Sequence, residues 1–79
     1  PRGAIEVGTS TIVDALVNSG LEKGRSAARR TVASGGAYLN NVKVTDEDAP
    51  ISADDLLAGG LALVRKGRRT LAVVCAPGA

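Results

Sequence analysis

Histidine, tryptophan, phenylalanine and methionine are absent from this sequence, and cysteine and tyrosine occur once each. Without histidine there is no imidazole general base, and no triad of the usual Ser-His-acid kind can be built. The one cysteine, Cys75, can close no internal disulfide and cannot make a zinc site of thiolates. Nothing in the cysteine usage therefore points to an oxidising compartment. No apolar run approaches the roughly 18 residues needed to span a bilayer, and no basic-then-apolar signal peptide opens the chain. The sequence reads as soluble and cytoplasmic, with no membrane partner. It begins at Pro1 rather than Met, which reads as a piece of a longer protein.

With Tyr38 the sole aromatic, the core has to be aliphatic, built from Val, Leu, Ile and Ala. The 79 residues suffice for one domain. A domain of this size buries only about 60% of the surface its unfolded chain exposes. That leaves little room for a deep pocket with supporting side chains, so catalysis by the chain alone is not expected.

What the sequence does have is charge, and it is segregated. The net charge is only +2. Residues 1–22 carry Arg2 against Glu6, Asp14 and Glu22, whereas residues 23–45 carry Lys23, Arg25, Arg29, Arg30 and Lys43 and no acid. Residues 46–55 hold Asp46, Glu47, Asp48, Asp54 and Asp55 with no base, and Arg65, Lys66, Arg68 and Arg69 follow with no acid. Two basic blocks flank one acidic block. A fold that brings the basic blocks together presents a positive face, which suits a polyanion.

Residues 1–8 show no period and read as a tail or linker. Thr11 with Asp14 offers a short-armed capping box. Ile12, Ala15 and Leu16 then share a helical face, giving a helix over about 11–19 that Gly20 ends and Leu21 closes over. A second helix is predicted over 24–35, with Ala28 and Val32 facing inward and Gly35-Gly36 stopping it. Ala37-Tyr38-Leu39 and Val42-Lys43-Val44 read as strands around an Asn40-Asn41 turn, since Asn tolerates positive φ. An acidic loop over 46–55 follows, with Ser52 and Asp55 able to cap a short turn. Leu56 and Leu57 are assigned to the core. Leu61–Val64 and Thr70–Cys75 are two further strands around Lys66-Gly67, and residues 77–79 fray. The expected fold class is α+β, two packed helices followed by a small, largely antiparallel sheet of about four strands.

Few constellations carry chemistry. Asp46, Glu47 and Asp48 lack the spacing of a calcium loop and read as a solvated acidic loop. Gly35-Gly36 and Gly59-Gly60 are not followed by Lys-Ser/Thr and set turns rather than cradle phosphate. No cofactor is expected. The arginines of the second helix stand out, because like charges at i, i+4 cost an isolated helix roughly 0.2–0.5 kcal/mol. Arg25 and Arg29 have no acid in their own helix to relieve this. Arg forks to phosphate oxygens and Lys adds a point charge, and Lys43, Arg65, Lys66, Arg68 and Arg69 repeat the sign at two turns. Tyr38 reads either as packing at the sheet edge or as a stacking platform for an exposed base. The near absence of aromatics argues against an RRM or OB-fold, and no G-x-x-G loop suggests a KH domain.

The stretch Gly24-Arg25-Ser26-Ala27-Ala28-Arg29-Arg30, followed by Gly35-Gly36-Ala37-Tyr38-Leu39-Asn40-Asn41-Val42-Lys43-Val44, resembles the RNA-binding domain first described in small-subunit ribosomal protein four, the alpha-L motif. The resemblance covers roughly residues 11–75 and places the domain at 9–76. Residues 12–21, Val44–Asp48 and Leu63–Arg69 are similar to the C-terminal tail of bacterial tyrosyl-tRNA synthetases. Two departures stand against that pattern: Asn41 where the family usually has Gly, and Leu61, Leu71 and Val73 where it carries aromatics.

The resemblance implies a non-catalytic domain that binds structured RNA, the long variable arm of tyrosine tRNA, with ATP-dependent chemistry in an upstream catalytic domain. It implies phosphate contacts from Arg25, Arg29, Arg30 and Lys43, with Ser26 in the same helix. Tyr38, Asn40 and Asn41 approach sugars or a base edge, and Arg65, Lys66, Arg68 and Arg69 extend the positive face. The same domain in a pseudouridine synthase or a ribosome-associated binder is a rival reading, as is a basic protein-interaction module.

Overall fold

The computed structural model describes residues 2–57, 60–67 and 70–76, with side chains from Ala4 onward. Strand β1 (Arg2–Ala4) is followed by helices α1 (Ile12–Asn18) and α2 (Arg25–Ala33), then strands β2 (Ala37–Leu39), β3 (Val42–Lys43), β4 (Leu61–Lys66) and β5 (Thr70–Cys75). The strands form one sheet in the order β1-β5-β4-β2-β3. Pairs β2–β3, β2–β4 and β4–β5 are antiparallel, as the sequence leads one to expect.

Helix α1 starts where its capping box says it should. The Thr11 backbone N–H donates to Asp14 Oδ2 at 2.9 Å, and the Asp14 N–H reaches back to Thr11 Oγ1 at 3.4 Å. Helix α2 ends in a Schellman motif. Gly35, at φ +80°, donates to the Val32 carbonyl, and Gly36 donates to that of Thr31. Asn40 and Asn41 both take positive φ, 52° and 69°, giving the two-residue turn whose twist matches the hairpin β2–β3. Ser52 and Asp55 cap a 3-10 turn over Ala53–Asp55.

Alternation along the strands sends Ala37, Ala62, Val64, Ala72 and Val74 inward, each at most 3% exposed. Most of them join Ile12, Val13, Ala15 and Leu16 of α1 and Ala28 and Val32 of α2 in one aliphatic core. Leu56 packs against this core, but Leu57, expected there too, is 49% exposed. Leu56 is extended at φ −87°, ψ 139°, so its neighbour points the other way.

The segment read as a tail or linker is not loose. Arg2–Ala4 pair in parallel with Val73–Cys75, so the sheet has a fifth strand beyond the four antiparallel ones. Ile5 is buried and its N–H donates to the Cys75 carbonyl at 3.0 Å. Asn18 of α1 donates to the Ala4 carbonyl at 2.8 Å. An edge strand held by backbone bonds and one buried side chain needs no apolar alternation, which is why no period announces it.

One carboxylate joins helices to sheet. Glu22 lies in the α1–α2 connection, where its N–H takes the Leu16 carbonyl at 3.1 Å. Its side chain is only 8% exposed. The Thr31 hydroxyl of α2 donates to one carboxylate oxygen, and Lys66 Nζ at the end of β4 lies 3.0 Å from the other. The Thr31 bond, helped by Lys66 and by the Arg30 charge, outweighs the burial cost and holds Glu22 below the ordinary glutamate range.

Two predictions follow from these contacts. Ile5→Ala should lose about 2–4 kcal/mol in denaturant melts, whereas exposed Val7→Ala should change less than about 0.5 kcal/mol. Equal melts would show β1 to be dispensable. Because the folded-state pKa of Glu22 is depressed, its stabilisation is full above the unfolded glutamate value, about 4.3, and is lost as pH falls through the folded value. Glu22→Gln should therefore melt earlier at pH 7 and lose less of its remaining stability on acidification than the parent. Parallel pH profiles for the two would exclude this role.

Candidate nucleic-acid interface

Helix α2 presents the bases that the sequence singles out. Ala28 and Val32 point into the core, which turns Arg25, Ser26, Arg29 and Arg30 to the surface. The acids missing from this helix arrive from elsewhere. Asp14 of α1 holds the Arg25 guanidinium, and Glu47 of the acidic loop stands 3.8 Å from Arg29 Nε. Partial burial alone would raise the Asp14 carboxyl. The Thr11 N–H and the Arg25 guanidinium outweigh it and hold Asp14 below its usual range. The arginine side chains of both pairs remain more than half exposed. The exposed pair with Glu47 is of a kind worth about 0–1 kcal/mol, so an incoming phosphate can replace that carboxylate at little cost, whereas Asp14 is only 19% exposed and also caps α1.

Arg30 faces a shallow groove that Glu22, Ala27, Thr31, Ser34 and Lys66 also line. Here Lys66 is occupied. Removing it would leave the buried Glu22 carboxylate dependent on Thr31, so its role is first of all within the fold. Asn40 is occupied too. Its Oδ1 accepts from the Leu63 N–H at 2.9 Å, and its Nδ2 donates to the Asp55 carbonyl. It knits β2 to β4 and to the 3-10 turn, whereas Asn41 is exposed at the tip of the hairpin.

The bases do not share one face. Lys66 lies on the helix side of the sheet with Ala37, and Arg65, one residue earlier on β4, lies on the outer side opposite Tyr38. Lys43 is the partner of Tyr38 on its other flank. The positive face expected of the two basic blocks thus divides into a ridge along α2 and a row across the outer sheet. Arg68 and Arg69 lie outside the described residues.

Sequence reasoning missed Asp14, Glu22, Thr31 and Glu47 as partners of the basic residues. Asp14 was visible only as a cap, and no local spacing relates Glu22 to Lys66. Among the described residues no group of three or more His, Cys, Asp or Glu could hold a metal ion. No helix among them is long and apolar enough to cross a membrane.

Comparison with known proteins bears on this arrangement. A family model described as the tyrosine–tRNA ligase SYY-like C-terminal domain matches residues 1–74. The tyrosine–tRNA ligase of Acidothermus cellulolyticus is 57% identical over 63 residues, covering 80% of this chain and 15% of that protein. That of Streptomyces coelicolor is 50% identical over 68 residues, covering 86% and 16% respectively. The chain therefore spans about a sixth of the length of these curated relatives or less. The solution structure of a tyrosyl-tRNA synthetase C-terminal domain superposes with a TM-score of 0.74 at 25% identity, covering 96% of this chain and 77% of that one. With both helices and the antiparallel sheet in common and the family model spanning nearly its whole length, the chain belongs to the family of tyrosine–tRNA ligase C-terminal domains.

Proposed function

We propose that this domain binds tRNA, through the long variable arm of tyrosine tRNA, and carries out no chemistry of its own. The observation that carries the reading is the α2 ridge: Arg25, Arg29 and Arg30 stand exposed in a single helix. Arg29 is held only loosely, by the exposed Glu47 carboxylate that a phosphate can displace, while Arg25 is held by the partly buried Asp14. Phosphate contacts supply affinity and orientation with little sequence information. An RNA helix hides its major groove, so recognition of the arm proceeds by shape. Ser26, within the ridge, and Asn41, at the hairpin tip, approach sugars, while Asn40 and Lys66 hold the hairpin and β4 in position. The parent chain is an ATP-dependent tyrosine–tRNA ligase of the cytoplasm. Its catalytic domain, upstream of this one, performs the aminoacylation while this domain positions the tRNA.

The family match supports this host over a pseudouridine synthase or a ribosome-associated binder. The test is binding to tyrosine tRNA, with and without its variable arm, across a salt series. Deleting the arm is expected to remove most of the binding. Replacing Arg29 and Arg30 with Ala should weaken binding and lower the salt slope by about 0.7–0.9 per lost phosphate contact. An unchanged slope would remove α2 from the interface, and equal affinity for both RNAs would remove the variable arm.

A further inference from the structure

The outer face of the sheet holds a row that the α2 ridge does not explain. Ala37 is fully buried, and Leu39 packs against the core, so Tyr38 between them faces away from the helices. Val64 is likewise fully buried, which sends Arg65 outward. Register then fixes four neighbours across four strands: Lys43 beside Tyr38, Tyr38 beside Arg65, and Arg65 beside Leu71. Tyr38 therefore stands between two basic residues, with a 45% exposed leucine at the end of the row, and the Lys43 side chain runs toward Gly35 just past the end of α2. Directly opposed residues on such a face have Cβ atoms about 5 Å apart, so Lys43 and Arg65 start about 10 Å apart on either side of Tyr38, within the span of one nucleotide and its flanking phosphates.

Arg65 gives the second observation. Its Nε is buried and has no hydrogen-bond partner among the described residues. A buried donor left unmade costs free energy, and a charged one more. A solvated surface arginine does not bury this atom. Arg65 is therefore packed against its neighbours on this face, and a ligand that bonds Nε has to shift the side chain first.

Taking the tRNA reading above as its basis, we infer that Tyr38, Arg65 and Lys43 form a site for one unpaired nucleotide of the bound RNA. The base stacks on the Tyr38 ring, and the flanking phosphates are taken by Arg65 and Lys43. A nucleotide inside a duplex has both faces of its base covered by neighbours, so only an unstacked one can lie on the ring. The α2 ridge grips the helical backbone by charge. The outer face selects RNAs that offer a loose base near it, which gives the domain a means of discrimination that phosphate contacts lack.

Tyr38 is the only aromatic residue in the sequence, so intrinsic tyrosine emission of the chain reports this site alone. The relative with the same fold was studied in solution as a C-terminal domain, which makes the 79-residue chain a suitable sample. It is titrated with two RNA hairpins of equal length and charge, one carrying a single bulged nucleotide and one fully paired, and with tyrosine tRNA. The bulged hairpin and the tRNA are expected to quench Tyr38 emission, and the paired hairpin to bind without quenching. Tyr38→Leu should weaken binding of the bulged hairpin by about 5- to 150-fold and leave the paired one unchanged. Tyr38→Phe should retain most of the affinity. Arg65→Met, with its fold checked by circular dichroism, should also lose the preference for the bulge. Binding of all three RNAs with unchanged emission would overturn the site and leave the tRNA reading standing. Equal quenching by both hairpins would overturn its preference for an unpaired base. Failure of any RNA to bind would overturn both.

Discussion

A carboxylate removed from water has to find other donors, and Glu22 finds them on two elements that no local signal brings together. Thr31 approaches from α2 and Lys66 from the end of β4. The position of Glu22 is itself set by the end of α1, where Gly20 turns the chain and the next residues fold back over Leu16. The aliphatic core beneath supplies most of the driving force but little orientation, because Ala, Val and Leu pack in many ways. The polar joint supplies what such a core lacks. It fixes the height of β4 against α2, and with it the positions of Arg30 and Arg65 on opposite sides of the sheet.

The charges obey one rule with two outcomes. Each clustered base that has a partner draws it from a different element. Where the acid is exposed, as with Glu47, the pair is loose and exchangeable. Where the acid is buried, as with Glu22, the base belongs to the fold. Burial of the carboxylate, rather than exposure of the lysine or arginine, separates bases available to a polyanion from those that are not. It also accounts for how a chain with so modest a net charge keeps a positive ridge: the acidic loop lies beside the ridge as a counterweight instead of being dispersed over the surface.

Much of the fold was legible because local chemistry decides it. Thr11 and Asp14, Gly35 and Gly36, and Asn40 and Asn41 each mark a helix end or turn through bonds spanning a few residues, and each does what its residue type favours. The candidate site was legible as a list of basic residues and not as a surface. Arg65 and Lys66 are adjacent in sequence, and strand alternation puts them on opposite faces. Asn40 looked like a tip residue, yet its amide is consumed by Leu63 and Asp55. β1 was illegible because its pairing is made of main-chain bonds, and Leu57 was misjudged because an extended backbone separates neighbours that hydrophobicity alone treats alike.

The parallel pairing of β1 with β5 has a consequence for the order of events during synthesis. Within this segment, the strand made first takes its place against the strand made last. Until Val73–Cys75 have cleared the exit tunnel, Arg2–Ala4 have nothing to pair with, and Ile5 has no carbonyl of Cys75 to bond. The helices and the β2–β3 hairpin can form from nearby residues in the meantime. Docking of β1 covers the otherwise open edge of β5, the kind of edge on which a neighbouring chain could pair instead. The earlier segment thus waits for the later one, and its arrival gives β5 a partner on its second side.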